Sequence, residues 1–220
     1  MNKDLACIFD LDGVLVDTAR YHFLSWIKLS NALNFEIDPL IEEELKGISR
    51  MRSLEIVLKA GGVEATEAEK VRYAEQKNKW YLESLVGLSD KVILPGVIEL
   101  LEELKELGIK MAVGSSSKNA AFLLAGLGMT EYFVSIVDGL KVLHDKPHPE
   151  VFLNAARDLQ MAPEKIIVFE DSIKGLKAAI AGGFLHVGIG NPKILEEASH
   201  VIPNFQKIKF RDITMALGLK

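Results

Sequence analysis

The chain has 220 residues, 49% apolar and 26% charged, with a net charge of −5 and a pI near 5.6. That is ample material for one or two hydrophobic cores. The acidic balance argues against a nucleic-acid or anionic-membrane partner, and no apolar run approaches the ~20 residues of a membrane span. Met1-Asn2-Lys3-Asp4 leads into the first strand with no signal-peptide pattern. The single cysteine, Cys7, lies inside an apolar run and reads as a small buried side chain. A cytoplasmic protein is expected.

Leu5 to Phe9 reads as a buried strand, followed by Asp10-Leu11-Asp12-Gly13. In an extended segment residues i and i+2 share a face, so Asp10 and Asp12 project together from the strand end. Two such acids repel unless a cation or a proton holds them. From Thr18 to Leu33 the apolar residues, Phe23, Trp26 and Ile27 among them, fall at helical spacing, with Asn34 as a stop. Helical segments continue over Pro39 to Lys46, Met51 to Lys59 and Glu67 to Val86. Gly61-Gly62 separates the last two, and Thr66-x-x-Glu69 has the form of a capping box. This stretch reads as an all-helical insert.

After Asp90 strands alternate with helices. A helix from Pro95-Gly96 to Gly108 precedes the strand Lys110 to Val113, the run Gly114-Ser115-Ser116-Ser117 and a helix from Asn119 to Leu127. Val134 to Val137 is a strand, Glu150 to Leu159 a helix, and Ile166 to Phe169 a strand ending in Glu170-Asp171. Gly175 to Ala181 is helical, His186 to Ile189 a strand, and Phe210 to Leu217 a closing helix. The alternation predicts an α/β fold: a Rossmann-like parallel sheet core (residues 1–16 and 93–220) interrupted after its first strand by a helical cap (residues 17–92).

In a parallel sheet, functional groups gather beyond the carboxyl ends of the strands. Those positions hold Asp10 and Asp12, then Ser115 to Ser117, then Glu170 and Asp171, with Lys146 in a loop able to reach the same edge. Hard oxygen donors suit Mg²⁺, which takes one or two carboxylates, waters and a substrate phosphate. Hydroxyls and free N–H groups around Ser115 to Asn119 suit a phosphate. Two unit charges ~4 Å apart interact by roughly 4 kcal/mol at an effective dielectric of ~20. A phosphate dianion beside ionised Asp10 and Asp171 would cost several such terms, so Mg²⁺ and Lys146 are both required. Asp10 can then attack phosphorus to give an aspartyl phosphate, with Asp12 as general acid/base. His144, His148, His186 and His200 show no spacing that suggests a metal site, and Trp26 and Trp80 read as helix-packing residues.

Asp10-Leu11-Asp12-Gly13-Val14, the Ser115 loop, Lys146-Pro147 and Glu170-Asp171 resemble, in order, the four motifs of the haloacid dehalogenase superfamily of phosphotransferases. The helical insert after the first motif is similar to that superfamily's small-cap subclass. Asp17-Thr18-Ala19-Arg20-Tyr21-His22, Lys46-Gly47-Ile48-Ser49-Arg50 and Ser115-x-Ser117-Lys118-Asn119 resemble the β-phosphoglucomutase family within it. The resemblance implies Asp10 as nucleophile and Asp12 as acid/base. It implies Mg²⁺ held by the Asp10 carboxylate, the Asp12 main-chain carbonyl and Asp171, with Glu170 in or beside the metal shell. Ser115 and Lys146 would bind the transferring phosphoryl group. Arg50 would grip the distal phosphate, and Ser117, Lys118 and Asn119 would contact substrate across the cleft. His22, Lys46, Gly47 and Lys77 belong to the implied substrate-binding set on the cap. The implied partners are a sugar phosphate and a sugar bisphosphate, taken by a monomer that binds neither nucleic acid nor membrane. Mutase and sugar-phosphate phosphatase share Asp10, Asp12, Lys146 and the metal site. They differ in whether a sugar hydroxyl or water receives the phosphoryl group, and Lys46-Gly47-Ile48-Ser49-Arg50 favours the mutase.

Overall fold

The computed structural model describes residues 4–85 and 90–219. The expectations placed on Met1-Asn2-Lys3 and on Val86 lie outside the described residues. In chain order the elements are β1 (Ala6–Phe9), α1 (Ala19–Ala32), α2 (Glu42–Leu45), α3 (Arg50–Ala60), α4 (Glu67–Leu85), α5 (Val97–Glu106), β2 (Lys110–Gly114), α6 (Ala120–Gly126), β3 (Ser135–Val137), α7 (Glu150–Leu159), β4 (Ile166–Glu170), α8 (Ile173–Ala181), β5 (Leu185–Ile189), β6 (His200–Ile202) and α9 (Phe210–Ala216). The strands form one parallel sheet in the order β3-β2-β1-β4-β5-β6.

β1 is central, flanked by β2 and β4, and every residue of it is buried. Alternation sorts its side chains between two cores. Cys7 and Phe9 join Met111, Val113, Ile167, Phe169 and Val187 under α5, α6 and α9, whereas Ala6 and Ile8 join Ala112, Ile166 and Val168 under α7 and α8. A sheet covered on both faces explains why its strands read as nearly continuous apolar runs. Phe9 anchors the first core: its ring stacks on Phe169 at 4.8 Å and meets Phe133 and Phe205 edge-on at 6.3 Å each.

The inserted helices pack around their own centre, formed by Trp26, Leu29, Leu54, Val57, Leu58 and Ala74. Their boundaries follow local chemistry. Asn34 takes a left-handed φ of 63° just past α1, a conformation its short polar side chain tolerates. Thr66 and Glu69 cap α4 reciprocally: the Thr66 amide donates to Glu69 Oε2 at 2.9 Å, and the Glu69 amide to Thr66 Oγ1 at 3.3 Å. The chain leaves and returns to the sheet along paired segments, with the Asp17 amide donating to Val92 O at 2.7 Å and the Leu94 amide to Leu15 O at 3.0 Å.

Three expectations need correcting. The helix expected over Pro39 to Lys46 is a 3-10 turn, Pro39–Ile41, capped by Asp38, followed by the single turn of α2. α8 begins at Ile173, before the expected Gly175, because the Ser172 hydroxyl caps it by accepting from the Gly175 amide at 3.0 Å. β6 was not expected: three residues at the sheet edge, paired only with β5, are too short to show a period.

Phe9→Ala removes a fully buried ring from contact with three others, so it is expected to lower the unfolding free energy by about 3–5 kcal/mol in urea denaturation.

Candidate active site

The carboxyl ends of β1, β2 and β4 deliver three groups of side chains to one edge of the sheet. Asp10 follows β1, Ser115 follows β2, and Glu170 closes β4 with Asp171 next to it. Lys146 arrives from the loop between β3 and α7, its side chain wholly buried. Its Nζ lies 2.7 Å from Asp10 Oδ1 and 2.5 Å from Glu170 Oε1, and it donates to Gly114 O at 3.2 Å. Glu170 Oε2 accepts from both the amide and the hydroxyl of Ser172, each at 2.9 Å. Two glycines allow this packing. A Cβ at Gly175 would collide with the Glu170 carboxylate, and Gly13, at φ +86°, is similarly tight against Asp171.

The charges do not balance. One ammonium faces the carboxylates of Asp10, Glu170 and Asp171, and an oxygen from each of these three lies within 4.8 Å of the others. Burial, then the neighbouring Glu170 and Asp12 charges, push the Asp10 carboxyl up to about 7 despite Lys146 beside it. Burial and the charges of Glu170 and Asp10 hold Asp171 well above the usual carboxylate range. Burial alone would lower Lys146, but Asp10 and Glu170 outweigh it and keep the amine above its ordinary value. An all-oxygen, net-negative donor set fits a hard divalent cation such as Mg²⁺.

Asp12 sits apart from this cluster. Its Oδ1 accepts from the Thr18 hydroxyl and lies 3.7 Å from His22 Nε2, and burial raises its carboxyl above the ordinary value. His22 is held from behind by Lys77, whose Nζ is 2.7 Å from His22 Nδ1, and by Tyr81, whose ring stacks on it at 3.8 Å. With Lys77 donating, Nδ1 is the acceptor and the ring proton sits on Nε2, toward Asp12. Burial, reinforced by Lys77 and Arg50, keeps His22 well below its ordinary value, so it is neutral. Lys77 is itself almost completely buried, above the rings of Trp26 and Tyr81. Burial and then Arg50 push its amine down to about 7.

Sheet edge and cap enclose a cleft of about 790 Å³ including its mouth. Asp10, Asp12, His22, Lys46, Gly47, Arg50, Lys77, Ser115, Ser117, Lys118 and Asp171 all line it. Asn119 does not: its side-chain amide donates to Asn78 Oδ1 on α4 at 2.9 Å, joining core to cap beside the cleft. Lys146 and Glu170 lie beneath the lining. Trp26, read from the sequence as a packing residue, is buried in the cap core and also lines the cleft.

Sequence reasoning missed the polar seam that seats the cap. Ser49 Oγ donates to Asp145 Oδ2 at 2.5 Å, Ser116 Oγ to Gly47 O at 2.9 Å, and Lys174 Nζ to Glu44 O. Isolated serines carry no signal of a partner 96 residues away. Sequence reasoning also gave Thr18 and Tyr81 no role at Asp12 and His22. His144 and His148, whose spacing along the chain suggests no metal site, are brought by the loop between β3 and α7 to within 4.8 Å of Glu150, ligand atom to ligand atom.

A parallel sheet with an acid pair after its first strand, a buried lysine and an inserted helical cap defines a capped phosphotransferase-type α/β fold. The chain belongs to the haloacid dehalogenase-like hydrolase family, whose model matches residues 5–183. It is 39% identical over 199 residues to the β-phosphoglucomutase of Bacillus subtilis (strain 168), covering 90% of this chain and 88% of that protein. A phosphorylated carbohydrates phosphatase of Thermotoga maritima is 31% identical over 89% of this chain and 92% of its own length. The crystal structure of a β-phosphoglucomutase from Clostridium difficile superposes with a TM-score of 0.92 at 40% identity, covering 97% of this chain and 96% of that one.

Lys77 is the clearest stability lever in the cap. Its folded pKa lies below its unfolded value near 10.4, so above about 7 the unfolded state binds more protons and stability rises with pH. Between pH 7 and 9 the wild type is expected to gain up to about 1.4 kcal/mol per unit relative to Lys77→Met, compared by urea denaturation.

Proposed function

We propose that the protein is a β-phosphoglucomutase, interconverting β-glucose 1-phosphate and glucose 6-phosphate through an aspartyl-phosphate enzyme and a 1,6-bisphosphate. The observation that carries this reading is the 39% identity to the Bacillus subtilis enzyme over 90% of the chain, joined to a cleft lined by carboxylates on one wall and by Lys46, Arg50 and Lys77 on the other. Residues 1–16 and 93–220 act as the catalytic core and 17–92 as the cap, hinged where Asp17 pairs with Val92.

Asp10 is the nucleophile: its carboxylate forms the new bond to phosphorus as the bond from phosphorus to the sugar oxygen breaks. Asp12 protonates that departing oxygen. In the second half-reaction it takes the proton from the hydroxyl that attacks the aspartyl phosphate. A buried carboxyl above its usual range, tethered by Thr18 and faced by the neutral His22, suits a group that must both give and take a proton. Lys146 and Ser115 hold the phosphoryl oxygens. Asp10, the Asp12 main-chain carbonyl and Asp171 would hold Mg²⁺, with Glu170 beside it. Bound there, Mg²⁺ supplies the positive charge that the carboxylates and a phosphate together demand. Lys46 and Arg50 bind the distal phosphate, with Gly47, Ser117, Lys118 and the His22–Lys77 pair shaping the sugar site. Asn119 contributes through its bond to Asn78, keeping the substrate side of the cap in register.

Sugar-phosphate hydrolysis is the second reading, favoured by the Thermotoga maritima relative. The serine seam bears on the choice in physical terms: a cap that stays seated by Ser49–Asp145 and Ser116–Gly47 would limit water's access to the aspartyl phosphate and so favour transfer to a sugar hydroxyl.

The deciding assay supplies β-glucose 1-phosphate, Mg²⁺ and a trace of bisphosphate, and follows glucose 6-phosphate beside free phosphate. Isomerisation far above phosphate release is expected; phosphate release alone would make the protein a phosphatase. Asp10→Asn should abolish both, a loss of about four orders of magnitude or more in turnover. Arg50→Ala should raise KM for the bisphosphate about tenfold or more while leaving Mg²⁺ affinity unchanged, read by titration of each.

A further inference from the structure

The loop between β3 and α7 carries a second cluster of metal-ligating side chains, on the outer surface away from the cleft. His144 and His148 lie two residues either side of Lys146, and Glu150 is the first residue of α7. One ligand atom from each of the three lies within 4.8 Å of the other two. His144 Nδ1 is 2.8 Å from Glu150 Oε2, and the two imidazoles face each other at 4.5 Å with their planes 31° apart. Both histidines are exposed, so an ion could reach them without the protein opening. The Glu150 carboxylate is already aimed by the backbone, accepting from the amides of Leu143 at 3.2 Å and His144 at 2.8 Å.

We propose that His144, His148 and Glu150 bind one divalent transition-metal ion of the zinc class, which clasps the Lys146 loop onto α7. Two imidazoles and a carboxylate are donors that suit Zn²⁺, Co²⁺ or Ni²⁺ and serve Mg²⁺ poorly. The Asp10, Glu170 and Asp171 cluster is all oxygen, so the two sites sort ions by chemistry. A tetrahedral ion with bonds of about 2.0–2.1 Å needs ligand atoms about 3.3 Å apart. The trio therefore closes by at most roughly 1.5 Å, a movement within reach of exposed rotamers, and its His144–Glu150 edge is already short enough. The ion replaces the His144–Glu150 hydrogen bond: the neutral ring turns its lone pair to the metal and its N–H to solvent. Three protein ligands leave a fourth position for water.

The clasp matters because of what the loop carries. Lys146 is the buried ammonium beside Asp10, and Asp145 accepts the Ser49 hydroxyl that seats the cap. An ion bridging residues 144, 148 and 150 fixes both ends of the segment that holds these two groups.

The test uses the full chain, stripped with EDTA and then saturated with Mg²⁺, and titrates Co²⁺ while following its visible absorption. Wild type is expected to take up one more equivalent of Co²⁺ than His148→Gln or His144→Gln, with at least a tenfold weaker residual affinity in each variant and in Glu150→Gln. Zn²⁺ should displace that equivalent and raise the unfolding temperature of wild type but not of the variants. Because both histidines are exposed, the metal-free His144→Gln and His148→Gln variants should unfold as wild type does, which checks the comparison. Equal Co²⁺ uptake by wild type and His148→Gln, or no uptake beyond the all-oxygen site, would overturn the proposal. Neither readout depends on turnover, so it stands or falls separately from the mutase reading.

Discussion

The site depends on one buried ammonium. Lys146 Nζ, wholly out of solvent, stands between Asp10 and Glu170 at 2.7 and 2.5 Å. Removing three such charges from water carries a heavy desolvation penalty, offset only because they are mutually paired and hydrogen-bonded. Ser172 completes Glu170, Gly114 O completes Lys146, and the glycines at 13 and 175 leave the room these contacts need. Even so, the cluster keeps an excess of negative charge. Burial, reinforced by that excess, lifts the Asp10 and Asp171 carboxyls, and the excess makes the sheet edge a receptor for a hard cation.

The cap's wall of the cleft presents mostly basic groups: Lys46 and Arg50, with the buried Lys77 amine, line it opposite Asp10, Asp12 and Asp171, beside one acid, Glu42. A phosphorylated ligand with an anionic group at each end can satisfy both walls at once, one phosphate against the core with its cation and the other against the cap. The seam is a few hydrogen bonds, the partly exposed Asp145 carboxylate and Lys174 ammonium among them, so its partners separate into water without exposing a large apolar surface. Such a joint suits a lid that must open for a bisphosphate to leave, turn and return.

Much of this was readable in the chain itself, for particular reasons. Strands of a doubly covered parallel sheet are almost wholly apolar, so β1, β2, β4 and β5 stood out, whereas β6, an edge strand of three residues, had neither length nor pattern. Acids at strand ends had no structural explanation, which drew attention to Asp10, Asp12, Glu170 and Asp171. Asn119 was grouped with its neighbours in the Ser115 loop, yet the turn into α6 sends its amide to Asn78. The approach of His144 and His148 to Glu150 depends on how their loop turns, which spacing along the chain does not show.

The sequence by itself determined the layout: an α/β sheet broken after its first strand by helices, and the residue types that meet at the sheet's carboxyl edge. Periodicity and strand-end chemistry are local properties, written within a few residues of one another. Tertiary structure decided which charges neutralise which. Lys146 lies 136 residues from Asp10 and 24 from Glu170, and Lys77 lies 55 from His22. Only the folded packing removes water between such partners, and it is that removal which gives Asp10, Asp12, His22 and Lys77 their altered proton affinities.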